Sequence, residues 1–153
     1  MSAVAEGSLV PNRGIEGDRY FLGVGSFSRW PGSGRALTLI EREAIDAIVF
    51  EYGIDLRDGL SRRNIVTIGV RLADLIGKTF RLGGAVLRGV RQAEPCGYLA
   101  RRTAPQIMEA MKGRGGLRAD VLEAGVVRMG DSLARYENTA PGRSLPARAG
   151  FAR

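Results

Sequence analysis

Histidine is absent from this 153-residue chain, and cysteine occurs once, at position 96. The missing imidazole removes Ser-His-Asp and Cys-His pairings, histidine-ligated zinc and any histidine general base. A lone cysteine excludes an internal disulfide, so the expected setting is the reducing cytoplasm. Lysine is nearly missing too, at two of 23 basic residues. No uninterrupted apolar run approaches the roughly 18 to 20 residues of a membrane helix, and the first ten residues lack a basic stretch followed by an apolar one. Neither membrane insertion nor export is expected. Aromatics are only 7% of the chain, with no run in which arginine alternates with aromatic rings. Stacking platforms for nucleic acid use such runs, so nucleic acid is not the expected partner.

What is present is an ordinary globular balance, 44% hydrophobic and 25% charged residues with a mean hydropathy of -0.07. The length suits one core. The net charge of +7 is unevenly placed: residues 56–118 hold 13 basic and four acidic residues, a surplus of +9 that exceeds the whole. The cysteine lies in this basic segment, which points to an anionic partner near it. An arginine-rich composition also suits planar, bidentate recognition of phosphate or carboxylate. Glycine is abundant, at 22 residues, and falls between short apolar runs. That pattern predicts a mostly β chain with a few helices, built as a barrel or sandwich.

The spacing of Ala44, Ile45, Ile48 and Tyr52 predicts a helix over 41–52, stopped by Gly53. Strands are expected at 36–40 and 64–68, where branched residues cluster, with a helical turn at 72–76 between the second of these and a hairpin. The hairpin pairs 78–82 with 85–92 around Gly83-Gly84. Short helices are read at 99–103 and 105–112, and closing strands at 117–123 and 126–135. Residues 1–136 are taken as one domain. The proline- and glycine-containing stretch 137–153 reads as a flexible basic tail.

Two segments carry the candidate chemistry. Glu94-Pro95-Cys96-Gly97 precedes a predicted helix, whose unpaired amides favour a thiolate, and Arg91, Arg101 and Arg102 add positive charge; a buried structural cysteine is the alternative. Ser61-Arg62-Arg63-Asn64 places two guanidinium forks, an amide and a hydroxyl at a strand start, fit for phosphate or a heterocycle edge, or simply for a solvated turn. Asp18, in Gly14-Ile-Glu-Gly-Asp18, is fit to cap a turn or accept from a cofactor. Gly23-Val-Gly25 and Gly113-Arg-Gly-Gly116 lack the flanking residues of dinucleotide and P-loop signatures. Glu41 and Glu43 lie two apart on one helix and face different ways, a poor acid/base pair.

The order of these pieces resembles the MOSC family, the domain named for the C-terminal part of molybdenum cofactor sulfurases. The resemblance runs through Gly17-Asp18-Arg19, Ala36 to Glu43, Ser61 to Val66, Leu75-Ile-Gly77, Pro95-Cys96, Arg114-Gly-Gly116 and Gly125 to Asp131. It implies a MOSC-type β-barrel and a cysteine that carries sulfur as a persulfide or ligates molybdenum. In the amidoxime-reducing relatives the matching positions, Arg62, Asn64 and Cys96, belong to the pterin-molybdenum site; Asp18, Arg91, Arg101 and Arg102 are added as cofactor-binding candidates. Position 63 is arginine where those relatives have proline, and Glu94-Pro95 replaces Ser-Arg before the cysteine. The resemblance further implies a molybdenum-pterin cofactor, no pyridoxal phosphate, and a protein partner that donates sulfur, such as a cysteine desulfurase, or electrons. A small molybdenum-dependent reductase of N-hydroxylated compounds and a basic β-barrel module for an anionic partner are the rival readings.

Overall fold

Among the described residues, short strands separated by turns make up most of the regular structure. A computed structural model describes residues 3–11, 13–16, 34, 36–57, 60–95, 97–136, 144–145 and 148–152. In chain order the elements are β1 (Ala3–Val4), β2 (Glu6–Val10), β3 (Gly14–Ile15), β4 (Leu37–Glu41), α1 (Arg42–Tyr52), β5 (Ile65–Ile68), a 3-10 turn (Leu72–Leu75), β6 (Thr79–Leu82), β7 (Ala85–Gln92), α2 (Gly97–Arg102), α3 (Ile107–Ala110), β8 (Leu117–Glu123), β9 (Gly125–Arg128), β10 (Leu133–Arg135), β11 (Ser144–Leu145) and β12 (Arg148–Ala152).

Nine strands form one sheet in the order β1-β12-β5-β4-β8-β7-β6-β10-β11, and β3-β2-β9 form a second. The large sheet curls into a half-barrel. Its neighbours pair antiparallel except β4 and β5, which run parallel because α1 lies between them as a crossover. Inside the curl lies a core of Leu37, Leu39, Ile65, Phe80, Leu82, Leu87, Leu117, Val121 and Leu133. The pleat sends alternate residues outward, and there Ile40 and Val66 are covered by Ala44, Ile45 and Ile48 of α1 together with Leu99, Ile107 and Met111. Central β4 is thus buried on both faces.

The helix, the hairpin and the early strands match the predicted positions within one or two residues. Helix α1 ends where the Gly53 amide donates to Val49 O, 2.9 Å; Tyr52, counted with its apolar face, is 38% exposed. Three expectations are corrected. The strand read over 126–135 is two strands in different sheets, because the Asp131 carboxylate accepts from the Arg128 amide, 2.7 Å, and closes a tight turn between them. The helix read over 105–112 is helical only at Ile107–Ala110 and continues as turns. The tail read as loose from 137 is paired at two places: β11 lies on β10, and β12 inserts between β5 and β1. Backbone ladders hold these strands, and a ladder requires no amphipathic pattern. Among the described residues no helix is long and apolar enough to cross a membrane.

Candidate functional site

The parallel register of β4 and β5 sets Asn64, just ahead of β5, beside Thr38. Asn64 Oδ1 accepts from the Thr38 amide at 2.9 Å and from its hydroxyl at 3.0 Å, while the Asn64 amide donates back to Thr38 O at 3.0 Å. Both residues are buried. Thr38 faces Arg118 across the β4–β8 pair, and Arg118 faces Arg91 across the β7–β8 pair. A row of side chains therefore crosses four strands on the outer face of the sheet, from a buried amide at one end to exposed guanidinium at the other. One step along, Arg88 faces Asp120. Segment 34 is tied to this row, since the Gly34 amide donates to Asp120 Oδ1 at 2.6 Å and Gly34 O accepts from Arg118 Nη1 at 3.5 Å.

A second junction lies where β7 ends. Arg63 is buried at 6% exposure, unusual for a guanidinium unless it is fully occupied. Its Nε donates to Gly115 O at 2.9 Å, and its Nη2 donates to Glu94 O at 3.2 Å and Ala93 O at 3.5 Å. Ala93 in turn donates its amide to Gly116 O at 2.8 Å. Arg63 thus gathers the start of β5, the link from β7 to α2 and the lead into β8. Its neighbour Arg62 is half-buried with φ 60°, the one left-handed residue other than glycine among those described. Such backbone costs on the order of 1–3 kcal/mol and persists where the surroundings force it, often at functional sites.

The predicted residues are placed as follows. Arg62 and Asn64 flank Arg63 at the strand start, and Asn64 is linked through Thr38 and Arg118 to Arg91. Arg101 and Arg102 are exposed at the end of α2. Arg101 folds back along that helix, its Nη1 lying 3.5 Å from where a Cβ on Gly97 would sit. Asp18 and Cys96 lie outside the described residues; α2 begins at Gly97, directly after the cysteine. The Asn64 carbonyl oxygen is taken up by Thr38. Arg63, read from the sequence as one of two forks fit for phosphate, is instead spent on backbone carbonyls; Thr38 and Arg118 were not singled out. Arg118 had only its place in the basic segment to mark it, and Thr38 nothing local.

A cleft at the strand ends, lined by Glu41, Leu72, Ile76, Gln92 and Arg114, holds about 30 Å³. That is room for a water or two and no organic ligand, and among the described residues the arginine-bearing face is the candidate. Arg114 is also engaged elsewhere: Nη2 donates to Glu51 Oε2 at 2.6 Å and Nε to Ala110 O at 2.6 Å. The Glu51 bond lowers that carboxyl's pKa and raises that of Arg114. Asp55, accepting from the Arg57 side chain at 2.8 and 3.1 Å and from its amide at 3.0 Å, is lowered to about 2.

Both carboxylates hold their protons less tightly folded than unfolded. The stability they contribute is therefore present above the unfolded carboxyl values, about pH 4, and is lost as the pH falls through the folded ones. Stability should drop on acidification below about pH 4, and Glu51→Gln with Asp55→Asn should flatten that drop slightly, since both pairs are exposed. Urea midpoints taken at stepped pH check this; an unchanged slope in the double variant would assign the acid sensitivity to other groups.

The family that matches the sequence is the MOSC domain, over residues 27–134. Comparison with curated proteins found no significant match. Among solved structures the chain is similar to YiiM from Geobacillus stearothermophilus, with a TM-score of 0.63 and 24% identity over 74% of this chain and 60% of that one. It is also similar to YiiM from Escherichia coli, with a TM-score of 0.65 and 22% identity over 91% of this chain and 66% of that one. The YuaD protein from Bacillus subtilis gives a TM-score of 0.70 and 16% identity, over 98% and 87%. The chain thus spans 60% and 66% of the length of the two YiiM chains. At these identities the likeness is one of fold. The family match covers well over half the sequence and coincides with the strand-rich half-barrel, and on that ground the chain belongs to the MOSC domain family.

Proposed function

We propose that this MOSC domain binds an anionic molybdenum-pterin group through Cys96 and the arginines of the outer sheet face. The observation that carries the reading is the placement of Arg88, Arg91 and Arg118 on adjacent strands, in a face continuous with the β7–α2 link that leads into the chain's one thiol. The donor set fits the group. A thiolate is the ligand type that molybdenum prefers among those present, and guanidinium forks suit a pterin phosphate. Cys96 would hold the metal, and Arg62, Arg91 and Arg118 the phosphate end, with Arg101 and Arg102 setting the local potential; Asn64 would act by fixing the strand start. When bound, molybdenum would supply two-electron redox chemistry, which requires a protein donor of electrons. Reduction of N-hydroxylated compounds is the enzymatic form of this reading. A Cys96 persulfide fed by a sulfur-donor protein, such as a cysteine desulfurase, is its carrier form.

The test is metal analysis with intact mass on protein purified without oxygen from a molybdenum-replete host. Wild type should retain molybdenum and pterin and Cys96→Ser should retain neither. One added sulfur on wild type, without metal, would establish the carrier form instead, and neither signal would overturn both. Salt separates a small ligand from a polyanion. A nucleic-acid partner engaging six to ten phosphates would lose about three to five decades of affinity between 50 and 200 mM salt, whereas a single pterin phosphate should respond far less.

A further inference from the structure

We infer that Arg63 is a positioning residue that sets the course of the backbone into Cys96. The inference rests on the reading above only for what Cys96 does; the geometry stands by itself. Three carbonyls converge on one buried guanidinium, and two of them, Ala93 and Glu94, belong to the residues three and two places before the cysteine. Pro95, the next residue, is buried and has its own φ fixed by its ring. The conformational freedom of the link therefore lies largely in Ala93 and Glu94, the two residues whose carbonyls Arg63 holds.

The third carbonyl supplies the anchor. Gly115 lies so close to Ala93 O that a Cβ on Gly115 would collide with it, and Gly116 O accepts the Ala93 amide. The link is thus held from the β8 side by backbone and from the β5 side by the arginine fork. Lysine offers a single point of donation and cannot replace a fork that spans two separated carbonyls. Arg62, Arg63 and Asn64 accordingly divide the work, with Arg63 turned inward to the link and Asn64 to β4.

The experiment compares wild type, Arg63→Ala and Arg63→Lys by native-state hydrogen exchange and by the alkylation rate of Cys96 with iodoacetamide at one pH, each with and without millimolar methylguanidinium. In both variants the amides of Ala93 and Thr103, hydrogen-bonded to Gly116 O and Leu99 O, should exchange roughly tenfold faster, a loss of about 1.4 kcal/mol of local protection. The amides of α1 should keep their rates. Cys96 alkylation should change by a comparable factor, and methylguanidinium should restore both readouts in Arg63→Ala. Uniform acceleration through the fold, failure of both variants to fold, or unchanged local exchange would each overturn the inference. Molybdenum and sulfur content measured on the same samples keeps the two claims apart. Altered exchange without any loading would sink the cofactor reading and keep Arg63, while normal loading with unaltered exchange would do the reverse.

Discussion

Replacing Gly116 by alanine should lower the melting temperature by roughly 6–12 °C, from a loss of about 3 kcal/mol at about 2–4 °C per kcal/mol for a chain of this size. Two costs add. The residue takes φ 104°, where a side chain is strained by on the order of 1–3 kcal/mol, and a Cβ would collide with Leu39 O. Leu39 sits in β4, buried on both faces, so its carbonyl has nowhere to withdraw, and overpacking of this kind costs about 1–3 kcal/mol. Gly116 O also receives the Ala93 amide, so displacement here should disturb the link to Cys96 as well as the core. Gly113→Ala is the control: φ is 76° there, but nothing lies within 4 Å of the added atom. Its cost should be near the left-handed penalty alone, about 1–2 kcal/mol. Calorimetry on the two variants decides; equal losses would mean that β4 yields and that Gly116 serves only its dihedral angle.

The second large effect should split the Arg62 to Asn64 motif in two. Asn64→Ala strips the acceptor from a buried amide and a buried hydroxyl on Thr38, and a buried donor left unpaired costs about 1–3 kcal/mol. A total near 2–3 kcal/mol would appear as a fall of roughly 4–12 °C. Arg62→Ala removes a half-buried side chain from a residue whose strained backbone stays strained, so its melting temperature should stay within a few degrees of wild type. Binding should rank the other way. Arg62→Ala should lose the molybdenum-pterin group or the sulfur donor while remaining folded. Equal loss of stability and binding in Arg62→Ala would make that arginine structural, and unchanged binding would remove it from the site.

Much of this architecture was legible residue by residue. Ile45 and Ile48 mark a helical face because their spacing matches the helix repeat, and Gly83-Gly84 marks a hairpin because few other pairs turn so tightly. The site was legible only as a motif. Arg62, Arg63 and Asn64 are consecutive and read alike in sequence, yet one is half-exposed, one is bonded to three carbonyls and one to Thr38. Nothing local tells them apart, because the side-chain partners of Arg63 and Asn64 lie 26 to 52 positions away.

The sequence by itself determined the strand-rich class, the absence of histidine chemistry, the basic middle segment and one thiol within it. Those follow from composition and short-range spacing, which act through propensity and amphipathic burial. Tertiary structure decided which arginines share a face, which one turns inward and where the late residues go. Arg91 and Arg118 become neighbours only through the β7–β8 register, and β12 finds its place only as a backbone ladder on β5. Cross-strand register and backbone pairing depend on segments far apart in the chain, so they leave no local mark on the residues they join.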